Sequence, residues 1–201
     1  MTRRWPLVPT VVVALAVATM LALGLWQLLD RRPAKNAYIA QLAQNPTKPP
    51  VAFPRVPDET LLFRRATATC APPTALTVNG AGSYGFRVLA ECADGVTVQL
   101  GTTRNAKIKM AWPGGKVAGF IAYAPDGRSV IGSLFDRTPK RMMLVLDRPP
   151  PGLSANPDPD TSAVPNSHLA YAFQWFFFAI SAAVIYVLAL RRRTASRSAA
   201  G

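Results

Sequence analysis

The chain has 201 residues, half of them hydrophobic, and a formal net charge of +13. That length suits one domain, two at most. The positive balance invites a nucleic-acid partner, but its distribution excludes one. Six of the 23 basic residues stand at the two extreme ends, and the other 17 mingle with all 10 acidic residues between Asp30 and His168, as on an ordinary solvated surface.

Arg3 and Arg4 precede an apolar run. From Val11 to Leu29, 19 positions carry no charge, and a transmembrane helix needs about 20 mostly apolar residues. A cleaved signal peptide has a hydrophobic stretch of about 7–15 residues that ends at small side chains. This run is longer, ends in Leu25-Trp26-Gln27-Leu28-Leu29, and holds its small-x-small triplet, Ala16-Val17-Ala18, in the middle. It reads as an uncleaved anchor over residues 10–29, after an N-terminus of residues 1–9. Pro33 to Gln44 reads as a short helix, with proline suited to the first turn. Five prolines between Asn45 and Pro57 predict an extended linker.

Strand-like runs follow at Leu62–Cys70, Gly85–Cys92, Val96–Gly101, Val117–Tyr123, Val130–Phe135 and Met142–Asp147, bounded by glycine, proline or Asp-Gly. Asp94-Gly95 predicts a hairpin, and Asp126-Gly127 separates another pair. Pro149 to Pro165 reads as a second proline-rich linker. Leu169 to Leu190 then offers 22 more uncharged positions, and residues 191–201 form a basic tail. The expected fold is a membrane protein of α+β class: two terminal transmembrane helices, the second over residues 169–190, flanking a mainly antiparallel β domain over residues 30–168.

Basic residues close to a span mark its cytoplasmic side. Arg191, Arg192, Arg193 and Arg197 place the tail in the cytoplasm, and Arg3 and Arg4 place the N-terminus there too. Arg31, Arg32 and Lys35 follow the first span on the outer side and oppose this assignment. The second span, preceded by Asp158 and Asp160 with no base nearby, decides it.

Cys70 and Cys92 each fall on the more apolar face of a strand. Outside the cytoplasm such thiols favour a disulfide. Buried free thiols and a metal- or redox-active pair are the alternatives, although the spacing of the two matches no metal-ligand pattern.

The single histidine, His168, follows Asn166 and Ser167, either of which can cap a helix. It therefore opens the second span at the outer interface. Helical spacing aligns it with Tyr171, Ala172, Trp175 and Phe178 or Ala179. An imidazole above an aromatic stripe has the parts of a porphyrin site, a ligand for iron and flat apolar walls. The same residues suit an interfacial aromatic belt with a hydrogen-bonding histidine. Trp26, Gln27, His168 and Trp175 share the outer leaflet. Gln27 and Gln174 are amides in apolar surroundings, where an unpaired amide is costly, so each calls for a partner on the facing helix or on another membrane protein. No triad order, Walker loop, His-Glu-x-x-His or Cys-x-x-Cys is present, and an enzyme is not expected.

Leu23-Gly24-Leu25-Trp26-Gln27 and the block from Pro165 to Phe176 resemble the end signatures of the Surfeit-locus cytochrome oxidase assembly family, Leu-Gly-x-Trp-Gln and Asn-x-His-x-x-Tyr-Ala-x-x-Trp-Phe. Phe63-Arg64-Arg65 and the stretch from Ala81 to Phe86 are similar to its less specific middle. The family carries Arg four residues after the tryptophan; here Asp30 stands there, and Arg31 comes one step later. Its Asn-Arg-Gly-Trp-like strand end corresponds to Leu100–Arg104 without the tryptophan, whose role does not transfer. The resemblance implies a protein of the bacterial inner (plasma) membrane, both termini cytoplasmic and the central domain periplasmic. It implies assembly of a haem-copper, cytochrome c type terminal oxidase, with oxidase subunit one, other oxidase assembly proteins and membrane lipid as partners. It further implies binding or delivery of haem a, with His168 as candidate iron ligand and Trp175, Tyr171, Trp26 and Gln27 around it. The alternative is a non-haem scaffold that stabilises oxidase subunits.

Overall fold

The computed structural model describes residues 6–126 and 138–198. They form two compact units: one ends at Tyr38 and resumes at Val164, and the other is Ile39–Ala163.

The helical unit contains α1 (Leu7–Trp26), a π turn (Gln27–Arg31), the start of α2 (Arg32–Ala43) and α3 (His168–Ser198). The uncharged Val, Leu and Ala of α1 leave nothing to interrupt it. Two helical stretches are long and apolar enough to cross a membrane, and only 6% of each apolar window is buried. A core helix of a soluble protein would bury most of that surface, so these faces fit lipid or another membrane protein.

Among the less exposed positions are Thr10, Val13, Val17, Met20 and Gly24 of α1 with Gln27 just beyond it, and His168, Ala172, Trp175, Ala179, Ala182 and Tyr186 of α3. Both sets alternate steps of three and four, the spacing of a helix–helix seam. The helices run antiparallel, because the Thr10 and Tyr186 hydroxyls meet at one end of the seam and Gln27 meets His168 at the other. Ala172 and Ala179 are buried, and small side chains of this kind let backbones approach closely in a bilayer.

The second unit is built on one seven-stranded sheet in the order β1-β2-β6-β7-β5-β4-β3. The strands are β1 Val51–Ala52, β2 Arg65–Cys70, β3 Pro73–Gly80, β4 Phe86–Cys92, β5 Thr97–Thr103, β6 Gly115–Tyr123 and β7 Met142–Leu146. The expectation of a mainly antiparallel sheet is corrected: the sheet is mixed. β1 lies parallel to β2 and β5 parallel to β7, while β2–β6, β6–β7, β4–β5 and β3–β4 are antiparallel. β5 and β7 sit centrally, and all five residues of β7 are buried, as befits a strand covered on both faces. Leu144, Val98, Leu100, Ile121 and Val88 are among its most buried side chains. Leu89, Met143, Val145 and Ala124 form a cluster with Phe120 and Ala122 packed against it. Gly119 of β6 lies so close to the Val145 carbonyl that no side chain fits there.

Several sequence expectations change here. The hairpin at Asp94-Gly95 joins β4 to β5, with Gly95 at φ 85°. β3, which is not among the strand-like runs expected from the sequence, pairs along β4 from Pro73 to Gly80. The proline-rich segment at 45–57 is not a free linker: Asn45 is buried and donates to the Thr60 and Leu62 carbonyls, and Val51–Ala52 joins the sheet. The segment after Pro149 is likewise stitched to β5. Ser154 exchanges backbone bonds with Thr102, and Asn156 accepts from Gln99 Nε2 at 2.7 Å and donates to the Leu146 carbonyl. The strand expected at Val130–Phe135 and the glycine of Asp126-Gly127 lie outside the described residues.

β2 and β4 are four places apart in the sheet order, which in a flat sheet means about 19 Å at 4.7–4.9 Å per strand. Their terminal residues Cys70 and Cys92 are nevertheless 5.3 Å apart at Cα and joined by a disulfide. Only Ala71 and Pro72 connect β2 to β3, which lies at the far edge. The sheet therefore curls back on itself, and β1 covers only the Ala66–Thr67 part of β2, leaving the Cys70 end open to meet β4.

Candidate functional site

The helical unit gathers several of the expected site residues where α1 ends and α3 begins. Gly24 is buried against the Phe176 ring; a Cβ there would lie 2.5 Å from a ring carbon. That close approach sets the separation of the helices and positions the next turn. Gln27 Oε1 lies 2.7 Å from His168 Nδ1. Oxygen cannot donate, so Nδ1 is the donor of this bond, and in the neutral ring that tautomer leaves the lone pair on Nε2. Metal-binding histidines are held in this way, with one nitrogen fixed by a carbonyl and the other left as the donor. Among the described residues Nε2 makes no hydrogen bond. Beside this pair, the Asn166 amide donates to Asn36 Oδ1 at 2.7 Å.

The π turn is the feature the sequence did not disclose. Its i→i+5 bond runs from the Arg32 N–H to the Gln27 carbonyl. In a regular α-helix, residues five apart point about 140° away from each other; a π turn returns them to one face. The Arg31 guanidinium accordingly lies 4.8 Å over the Trp26 ring. Lys35 lies similarly over Tyr38.

The expected aromatic stripe is partly redistributed. Ala172 and Ala179 face the seam and are buried, whereas Tyr171 is 50% and Trp26 44% exposed. Trp175 is half-buried and packs edge-on to Phe178. Gln27 finds its partner on the facing helix, and Gln174 is exposed. Flat, open aromatic surface therefore flanks an imidazole whose Nε2 makes no hydrogen bond among the described residues, so the set fits a haem: one nitrogen ligand with apolar walls.

In the β unit several polar groups have structural partners, while the buried Gln99 Oε1 has none among the described residues. Arg65 pairs with Asp147 at the surface, beside a groove of about 320 Å³ that Arg148 and Asn156 also line. Asp160 accepts from the Ser162 hydroxyl and backbone N–H, which together hold its carboxyl below the usual range. It caps the 3₁₀ turn Thr161–Ala163. Among the described residues no group of three or more His, Cys, Asp or Glu is placed to hold a metal ion.

The geometry makes a direct test of the seam available. Gly24→Leu drives a side chain into Phe176, an overpacking expected to cost about 1–3 kcal/mol. Cysteines introduced at Thr10 and Tyr186 should then crosslink far less than they do with Gly24 intact, whereas Gly80→Ala, at an open position of β3, should leave crosslinking unchanged.

Compared with known families, the chain matches the SURF1 family over residues 14–180. No curated protein and no solved structure matches it.

Proposed function

The chain belongs to the SURF1 family, which is associated with cytochrome oxidase assembly, and we propose that its part in that assembly is to hold haem a for delivery to subunit one of a haem-copper oxidase. The observation that carries this reading is the Gln27–His168 pair. It gives Nδ1 an acceptor and so favours the tautomer that leaves Nε2 able to ligate iron, at the mouth of a helix pair with exposed aromatic faces. His168 takes the iron through Nε2, Gln27 orients the ring, and Trp26, Tyr171 and Trp175 offer apolar contact. The protein is not an enzyme in this reading; it is a membrane chaperone, and its partners are oxidase subunit one and other oxidase assembly proteins.

The purified full chain should retain a Soret band, and a strain lacking it should accumulate terminal oxidase deficient in haem a. A fully loaded, fully active oxidase in that strain would sink the assembly reading. Normal dependence of the oxidase on a chain that never retains haem would favour the non-haem scaffold.

The topology proposed with this function has both termini in the cytoplasm and the β unit in the periplasm, from the arginines at 191–193 and the rule that basic flanks stay inside. Alkaline phosphatase inserted between Pro157 and Asp158, with both helices retained, should be active, and a phosphatase fused at the C-terminus inactive. The reverse pattern would invert the arrangement.

A further inference from the structure

We propose that Arg31 binds a carboxylate of the same ligand whose iron His168 takes, so that His168 Nε2, the Trp26 face and the Arg31 guanidinium form one site for a porphyrin with free acid side chains. This rests on the haem reading above and adds a specificity to it.

Four observations converge. Arg31 stacks on Trp26 at 4.8 Å, and Trp26 adjoins Gln27, whose oxygen holds His168. The stacking joins residues five apart and exists only because the backbone forms a π turn at Gln27–Arg31; a regular helix would turn Arg31 away. That turn packs against α3, so it belongs to the same helix-pair end as the imidazole. Among the described residues no carboxylate pairs with Arg31, which is exposed.

A guanidinium held over an indole keeps N–H groups free on its side away from the ring, and its planar fork of donors can take a carboxylate with two parallel bonds. The charge also answers the conflict left by the topology. In the proposed topology Arg31, Arg32 and Lys35 stand on the outer side of the first span, where basic residues are disfavoured, and the exposed Arg31 is open there to an anionic ligand. An apolar macrocycle with an acid edge supplies that anion beside the iron ligand. Anionic lipid phosphate shares the same chemistry, and the test separates the two.

The probes are iron protoporphyrin IX and its dimethyl ester, titrated into the purified full chain in nanodiscs of zwitterionic lipid, with His168→Ala as the control for coordination. The wild type should bind the free acid about tenfold more tightly than the ester, the scale of one charge-assisted pair. Arg31→Gln should bring the acid down to the level of the ester while leaving ester affinity and Soret position unchanged. Arg31→Lys should recover part of the difference.

An acid-to-ester ratio that is the same in the wild type and Arg31→Gln overturns the inference and leaves the haem reading standing. Equal weakening of both probes by Arg31→Gln also overturns it, since the side chain then acts by supporting the turn. Loss of co-purifying anionic lipid in Arg31→Gln, with the ratio unchanged, assigns the arginine to lipid instead. A wild type that binds neither probe removes the haem reading, and this inference with it.

Discussion

His168→Ala should lower haem affinity by at least about 100-fold, beyond the 10–100-fold usual for losing a group that only supports a ligand, and should shift the Soret band. The chain has one histidine, so no second imidazole can take its place. Gln27→Leu should give the smaller, supporting effect of about 10–100-fold, because Nδ1 then loses its acceptor and the ring loses its favoured tautomer. Trp175→Leu should weaken binding less than either, because it trims contact area and leaves the imidazole untouched. Each variant must insert and accumulate normally, which crosslinking at Thr10 and Tyr186 checks independently of haem. Haem retained by His168→Ala with an unaltered spectrum would end the assignment of the ligand.

Removing the Cys70–Cys92 bond should destabilise the β unit by about 3 kcal/mol in the chain-entropy account of a loop of this length. At this domain size that corresponds to a fall in Tm of about 10 °C. The double variant Cys70→Ala/Cys92→Ala is the clean test, since both positions are buried and a serine would add a hydroxyl there. Thermal unfolding followed in the β-sheet signal should show the shift, and the unreduced wild type should be lighter than the reduced form by two hydrogens. An unchanged Tm in the double variant would mean that pairing along β4 and β6 alone keeps the sheet curled. The effect should be confined to the β unit, leaving helix crosslinking intact.

Much of this was readable in the residues because the signals are local. Uncharged runs announced both long helices, and Asp94-Gly95 announced its hairpin. Gln27 was read as an amide needing a partner on the other helix, and the antiparallel seam supplies one. That the partner is His168 depends on helix register, which neither span encodes alone. β3 escaped because its two prolines mark a break and its exposed edge position weakens the alternation of apolar side chains. The parallel pairing of β5 with β7 escaped because it joins segments more than 40 residues apart, and no local pattern reports such a partner. The π turn brings together a tryptophan and an arginine five apart, a spacing that a regular helix would place on different faces. Gln-Leu-Leu-Asp-Arg has no composition that distinguishes a π turn from an ordinary one.

The strand order also sets a timetable for synthesis. β3, β4 and β5 follow one another in sequence and pair with their chain neighbours, so they can zip up as soon as they emerge. β2 has no such recourse, because its long partner is β6 and the three intervening strands must be made first. At about 5–20 residues per second, the stretch from Cys70 to Gly115 takes several seconds to produce. For that interval β2 presents unpaired backbone along the edge that β6 will cover. A holding factor would matter most in those seconds, and slowed translation between β5 and β6 should raise the yield of misassembled chain.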